Sequence, residues 1–309
     1  MKILIELPSW LGDTVMVTPA IENILLQYPN AKIELIGTKS SLEALQSHPK
    51  VLRTIQLNKN IISFYNFAKK IGKLDIFISF RGSFRSRILK FFINSSSKYQ
   101  FDKSNYKNQH QVEKYNSFIC ESLKFVEIPR SLILYNQNQN TSKKGKPVLG
   151  INPGAAYGSA KKWDSEKFAE VAVTLSKKYD IEIFGGPNET DVASNIERLL
   201  IKHGVKNYKN FSGKTSISEL INYISKLDLF LTGDSGPMHI AASFSIPTVS
   251  IFGPTKDDES SQWMNPKSKI IKKNLECQPC MKRKCPLGHH KCMKLIKPNE
   301  VLNAIKLVN

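Results

Sequence analysis

The chain is short of two features that would narrow its role at once: long apolar runs and acidic residues. No apolar stretch reaches the roughly 20 residues that a membrane-spanning helix needs. The N-terminus, MKILIELPSW, has neither the apolar length nor the cleavage site of a secretory signal. Together these absences predict a soluble, cytoplasmic chain. Acids number 26 against 45 lysines and arginines, giving a formal charge of +19 in 309 residues. That imbalance favours polyanionic partners, whether nucleic acid, anionic lipid head groups or phosphorylated substrates. Two nucleotide signatures are missing as well. No G-x-G-x-x-G follows the first apolar run, and NFSGKTS carries Tyr208 where a P-loop requires its first glycine. A dehydrogenase and a P-loop ATPase are thereby set aside.

What is present is a repeating pattern. Hydrophobic residues make up 41% of the chain, enough for two ordinary cores. Short apolar runs (KILIEL, KIELIG, TIQL, DIFISF) alternate with amphipathic stretches at 14–28, 40–47, 60–72 and 83–94, and a further helix is predicted near 111–126. This is the rhythm of a parallel sheet covered on both faces. The polar stretch NQNQNTSKKGKP, residues 136–147, reads as a linker. The rhythm then restarts with VLGINPG, IEIFGG, a weak strand near 205–211, LDLFLTG and TVSIFG, separated by helices near 164–179, 189–203, 216–226 and from 237. The expected fold class is therefore α/β, with two Rossmann-like doubly wound domains facing a cleft. The domains run 1–140 and 147–297, and a terminal helix at 298–309 is expected to pack back on the first.

Open sheets of this kind bind ligands at the carboxyl ends of their strands, and several such ends carry suggestive residues. Gly12 and Asp13 follow the first strand, where the carboxylate either caps a helix or serves as a base for an attacking hydroxyl. Arg81 and Arg85 follow DIFISF, and guanidinium groups suit phosphate or carboxylate. In LTGDSGPMHIAA a strand turns through Asp234-Ser235-Gly236 into a helix opened by Pro237. The N–H groups of Ser235 and Gly236 at that helix start suit a diphosphate. Between 51 and 110, twelve lysines and arginines stand against Asp75 and Asp102, and between Lys267 and Lys297 ten stand against Glu276. Individual lysines in these runs are equally well read as solvated side chains.

Three separated motifs, GDTVMVTPAI, NPGAAYGSAKKWDSEKFAEVA and LTGDSGPMHIAASFSIPTVSIFGPT, occur in order. Together they resemble the ADP-heptose:lipopolysaccharide heptosyltransferases, most of all the type II branch, and the likeness spans nearly the whole chain. The resemblance implies the two-domain GT-B fold and an inverting transfer of heptose from ADP-L-glycero-D-manno-heptose to a heptosyl-Kdo2-lipid A acceptor, with no cofactor required for catalysis. It implies Asp13 as general base and Lys161 at the leaving diphosphate. Asp234, Ser235, Gly236, Met238, His239 and Thr215 would line the donor site. Arg81, Arg85 and His110 would face acceptor anions, although His110 and Glu113 are equally a local structural pair. It also implies a peripheral position at the anionic cytoplasmic face of the inner membrane, in the assembly of the lipopolysaccharide or lipooligosaccharide inner core.

Cys277, Cys280, Cys285 and Cys292 form C-x2-C-x4-C-x6-C, a set that can hold a structural zinc or remain free thiols. Two rival functions stand beside the transferase. One is a nucleic-acid-binding module, against which the basic runs show no interleaved exposed aromatics, so no nucleic acid is expected. The other is a type I heptosyltransferase or another ADP-sugar transferase of the same fold.

Overall fold

The first strand, β1 (Lys2–Glu6), is KILIE, and all but its first residue are buried. A strand apolar on both faces needs cover on both sides, which a parallel sheet between helices supplies. The computed structural model describes residues 1–58, 60–136, 145–154 and 156–308. The chain divides into two units, Met1–Gln137 and Asn138–Asn309.

In the first unit β1 is followed by α1 (Leu11–Met16), α2 (Thr18–Gln27), β2 (Lys32–Gly37), α3 (Lys39–Leu45) and β3 (Val51–Gln56). After these come α4 (Ile61–Ile71), β4 (Leu74–Ser79), α5 (Phe84–Phe92), β5 (Ser95–Gln100) and α6 (Gln111–Leu123). The sheet order is β3-β2-β1-β4-β5, with every pair parallel. Thr38, Asn60 and Ser83 start α3, α4 and α5, each side chain accepting the N–H of the residue three further on.

The second unit holds β6 (Val148–Asn152), α7 (Ser165–Leu175), β7 (Asp180–Ile183), α8 (Thr190–Lys202), β8 (Tyr208–Asn210) and α9 (Ile217–Ile224). Next come β9 (Leu229–Gly233), α10 (Gly236–Ser243), β10 (Thr248–Ile251), α11 (Asp257–Ser260), β11 (Ser268–Ile271), α12 (Lys291–Lys294) and α13 (Pro298–Val308). Its sheet runs β11-β10-β9-β6-β7-β8, again all parallel. In each sheet the strand order reverses beside the first strand, between β1 and β4 and between β6 and β9. Those reversals open a crevice at the carboxyl ends.

The structure departs from the sequence expectation at three places. Residues 14–28 are not one helix, because Pro19 has no N–H for the Val15 carbonyl. The Thr18 hydroxyl donates to that carbonyl instead, at 2.7 Å, and the helix restarts at Thr18. Two strands were not expected. SSSKYQ and SKII lack an apolar run because β5 and β11 lie at sheet edges, where one side needs no buried partner. The terminal helix α13 packs within the second unit. Val301, Ile305 and Val308 enter the second unit's own core with Trp163, Met293 and Ile296, and the helix lies against α7, β10 and β11. Most of the predicted linker, residues 137–144, lies outside the described residues.

Candidate functional site

The loop after β6 and the turn after β9 meet at the second reversal point. Lys161 sits in a short 3-10 turn, Ser159–Lys161. Its Nζ is 2.5 Å from Asp234 Oδ2, and the Thr255 hydroxyl donates to the same oxygen at 2.6 Å. Asp234 is 6% exposed. A carboxylate buried to that degree is stable only when paired and hydrogen-bonded, and here two donors meet on one oxygen. The Lys161 ammonium also lies 4.7 Å from the Tyr157 ring centroid, and the Arg283 guanidinium lies 5.4 Å from it. Two cations therefore share one ring at the mouth of the β6 loop, which suits a polyanionic group.

The β9–α10 turn forms as its sequence suggests, with Ser235 at the N-cap position and Pro237 in the first turn of α10. The Ser235 side chain does not cap. Its hydroxyl lies 3.1 Å from Thr232 Oγ1 and 3.3 Å from Asn152 Nδ2, which ties the turn to the ends of both central strands. His239 is buried one turn into the helix. Met238 is fully buried, its side chain packs in the core, and its N–H donates to the Ser235 carbonyl at 3.1 Å. Thr215 is half-buried in the loop between β8 and α9, at the carboxyl end of the edge strand β8.

Two residues of this region escaped the sequence reading. Thr255 closes the third motif, but nothing in the linear sequence ties its hydroxyl to Asp234. Glu189 ends the short 3-10 turn Pro187–Glu189. Its carboxyl accepts the Gly186 N–H at 2.8 Å and lies against Gly154, where a Cβ would fall 2.1 Å from the Glu189 carboxyl carbon. Glycine at 154 is what lets an acid approach the β6 loop.

The cysteine-bearing segment braces the same loop. The Ala160 N–H donates to the Arg283 carbonyl at 3.0 Å, the Tyr157 hydroxyl to the Met281 carbonyl at 2.8 Å, and His290 Nε2 lies 2.8 Å from the Ala160 carbonyl oxygen. Cys277, Cys280, Cys285 and Cys292 are free thiols lining one pocket with Ala160 and His290. Backbone N–H groups, that of His290 foremost, pull the Cys285 thiol below its usual pKa, whereas burial pushes that of Cys292 up. Among the described residues no group of three or more His, Cys, Asp or Glu is arranged to hold a metal ion. What the structure shows for this segment is support of the Lys161 loop.

In the first unit Asp13 does not cap α1. Trp10 holds the N-cap position, and Asp13 stands in the first turn, where its Oδ1 accepts the Tyr115 hydroxyl at 3.3 Å. Tyr115 is buried with its ring against Phe80 and Phe101. Burial first, and then the neighbouring Asp13, raises its pKa well above the usual phenol value. Arg81 Nη1 lies 3.4 Å from the buried Glu6 carboxyl at the end of β1, to which Ser79 and Ser86 also donate. Burial raises the Glu6 pKa against those hydrogen bonds. Arg85 is exposed in the first turn of α5. His110 is turned inward as a cap: its Nδ1 accepts the Val112 N–H at 3.2 Å, and its own N–H donates to Glu113 at 2.7 Å. The capping alternative accounts for these contacts of His110.

A family profile described as glycosyltransferase family 9 (heptosyltransferase) matches residues 64–291. The chain belongs to that family. It is 42% identical to lipooligosaccharide heptosyltransferase 2 of Campylobacter jejuni over 315 aligned residues, covering 99% of this chain and 98% of the relative. It is 24% identical to lipopolysaccharide heptosyltransferase 2 of Escherichia coli, covering 99% and 97%. Among solved structures, the E. coli ADP-heptose lipopolysaccharide heptosyltransferase II superposes with a TM-score of 0.82 at 22% identity, over 100% of this chain and 98% of that one. The E. coli heptosyltransferase WaaC with ADP gives 0.78 at 16%, over the whole of both chains. The two structural matches establish the GT-B-like fold, and the Campylobacter relative carries the family assignment across the whole chain.

Proposed function

We propose that the protein is an inverting glycosyltransferase that moves heptose from ADP-heptose to a heptosyl-Kdo2-lipid A acceptor in the inner core of a lipopolysaccharide or lipooligosaccharide. The observation that carries this reading is the buried Lys161–Asp234–Thr255 group at the carboxyl ends of β6 and β9. An ADP leaving group gains negative charge as the glycosidic bond breaks, so a cation held in place by a buried carboxylate stabilises the transition state more than the ground state. Lys161 takes that role, with the first turn of α10 and His239 beside the diphosphate. Asp234 presents its Oδ1 to the donor sugar's hydroxyls, a better match for a carboxylate than phosphate. Asp13 is the general base that removes the proton from the acceptor hydroxyl, so that a single in-line attack inverts the anomeric carbon. Glu189, at the β6 loop, suits the ribose hydroxyls. Arg81, Arg85 and the basic excess of residues 51–110 suit the carboxylates and phosphates of the acceptor. The enzyme then works at the cytoplasmic membrane surface. No helix among the described residues is long and apolar enough to cross a membrane.

The test is transfer from ADP-heptose to two acceptors, Kdo2-lipid A with and without its first heptose. Product from the heptosylated acceptor alone is expected. Product from the bare Kdo acceptor alone would assign the type I reaction, and product from neither would remove the heptosyltransferase reading.

A further inference from the structure

Two neighbouring helices of the first unit carry exposed apolar side chains that the proposed chemistry does not use. Neither α4 (IISFYNFAKKI) nor α5 (FRSRILKFF) contains an acidic residue. The two helices pack on each other, and the Tyr65 ring of α4 meets the Phe92 ring of α5 edge-on at 5.8 Å, with Phe91 a further 5.6 Å along. Facing outward are Ile61, Ile62, Tyr65, Phe84 and Phe91, with Ile62 72%, Phe84 76% and Phe91 80% exposed. On α4, Ile61, Tyr65 and Lys69 recur every fourth residue. On α5, Phe84 and Phe91 lie two turns apart with Arg87 between them. Lys69, Lys70, Arg85, Arg87 and Lys90 are interleaved with these apolar side chains. The expectation that the basic runs lack exposed aromatics is therefore wrong for this run. Helical folding brings Phe84, Arg87 and Phe91 to one face, a grouping that a linear reading of alternating residues hides.

Single exposed apolar residues on a soluble surface need no explanation. Five on two touching helices, all within a cationic field, do. We infer that the α4–α5 face docks on an anionic lipid bilayer, with the helices lying in the plane of the interface, Ile61, Ile62, Phe84 and Phe91 entering the head-group boundary, and the lysines and arginines meeting lipid phosphates. Phenylalanine and isoleucine projecting between basic residues is the composition of an interfacial helix. A stacking platform for single-stranded nucleic acid instead sets aromatics in a groove and makes no use of isoleucine. Asp102, outside the two helices, interacts with Arg87 and offsets part of its charge, and the five cations of two helices that hold no acid keep the face positive. The inference rests on the lipid-borne acceptor of the proposed function for its purpose, but docking can be read without any turnover.

Flotation of the full-length protein with vesicles tests it. The protein should rise with phosphatidylglycerol/phosphatidylethanolamine vesicles and stay behind with pure phosphatidylcholine vesicles, and high salt should weaken the association. Replacing two exposed apolar residues (Ile62→Ser with Phe91→Ser) should lower binding to anionic vesicles about tenfold or more. Removing two charges (Arg87→Gln with Lys90→Gln) should do the same and flatten the salt dependence, since each basic residue near a charged surface is worth about 1 kcal/mol, or about fivefold. Unchanged thermal midpoints would show that the variants are folded, as expected for exposed side chains. Failure of the wild-type protein to rise with anionic vesicles, or wild-type binding by the Ile62/Phe91 variant, would overturn the proposal. So would binding of a single-stranded oligonucleotide that is lost in the same variant, which would assign the face to nucleic acid. None of these outcomes depends on whether heptose is transferred.

Discussion

Tyr115 reaches Asp13 from 102 residues away in the chain, and its ring is locked by Phe80 and Phe101 so that the hydroxyl has one direction to point. With its pKa raised well above the usual value, Tyr115 stays protonated and remains a donor wherever Asp13 is ionised. A donor to one carboxylate oxygen favours the ionised form and restricts rotation of the group. With Asp13 as the proposed base, Tyr115→Phe is therefore expected to lower kcat about tenfold, a fraction of the roughly 10²–10⁴-fold that a positioned general base contributes. The sign of the pH effect follows from the same contact. If Asp13 is the proposed base, loss of the hydroxyl removes a contact that favours its ionised form, and the acid limb of the kcat–pH profile moves upward. A lower kcat with an unmoved acid limb would make Tyr115 a packing residue only. Asp13 was legible in the sequence because a Gly-Asp pair follows the first strand. Tyr115 was not legible as its partner, since nothing in a linear sequence ties the two together. Thr255 and Glu189 were missed for the same reason, each acquiring its meaning from a neighbour far away in the chain.

At the scale of elements, the loop that carries Lys161 depends on a segment more than a hundred residues further on. A Cβ at Gly158 would lie 2.4 Å from the Arg283 carbonyl oxygen, and backbone at that distance must move. Gly158→Ala should thus push the loop off the 277–292 segment, disturb the Tyr157 ring between its two cations and displace Lys161. ADP affinity measured by calorimetry should fall about tenfold, or about 1.4 kcal/mol, while unchanged affinity would show that the segment is not a brace. The cysteines of that segment are free thiols that line one pocket with Ala160 and His290 beneath the Lys161 loop. Central strands were legible because two buried faces demand continuous apolar runs. Edge strands β5 and β11 were not, because edge positions relax that demand.

Over the whole molecule, the two sheets repeat one logic, with ligand-side residues gathered at the carboxyl ends where strand order reverses. If the donor site is where the second unit suggests, bound ADP should slow amide hydrogen exchange chiefly in residues 152–161 and 233–239, the two loops flanking the Lys161–Asp234 pair. Protection spread evenly through the chain would count against a local site. The sequence by itself determined the α/β class, the division near residue 140, the βα rhythm and the family, because hydrophobic periodicity and contiguous motifs are local properties that survive in one dimension. Only the tertiary structure decided that α13 completes the second unit's core, that Asp234 holds Lys161 with the help of Thr255, that His110 caps a helix, and that α4 and α5 present one basic, apolar face. Each of those depends on which side chains share a surface after folding. The chain's order does not encode that adjacency, and packing, burial and charge pairing choose it.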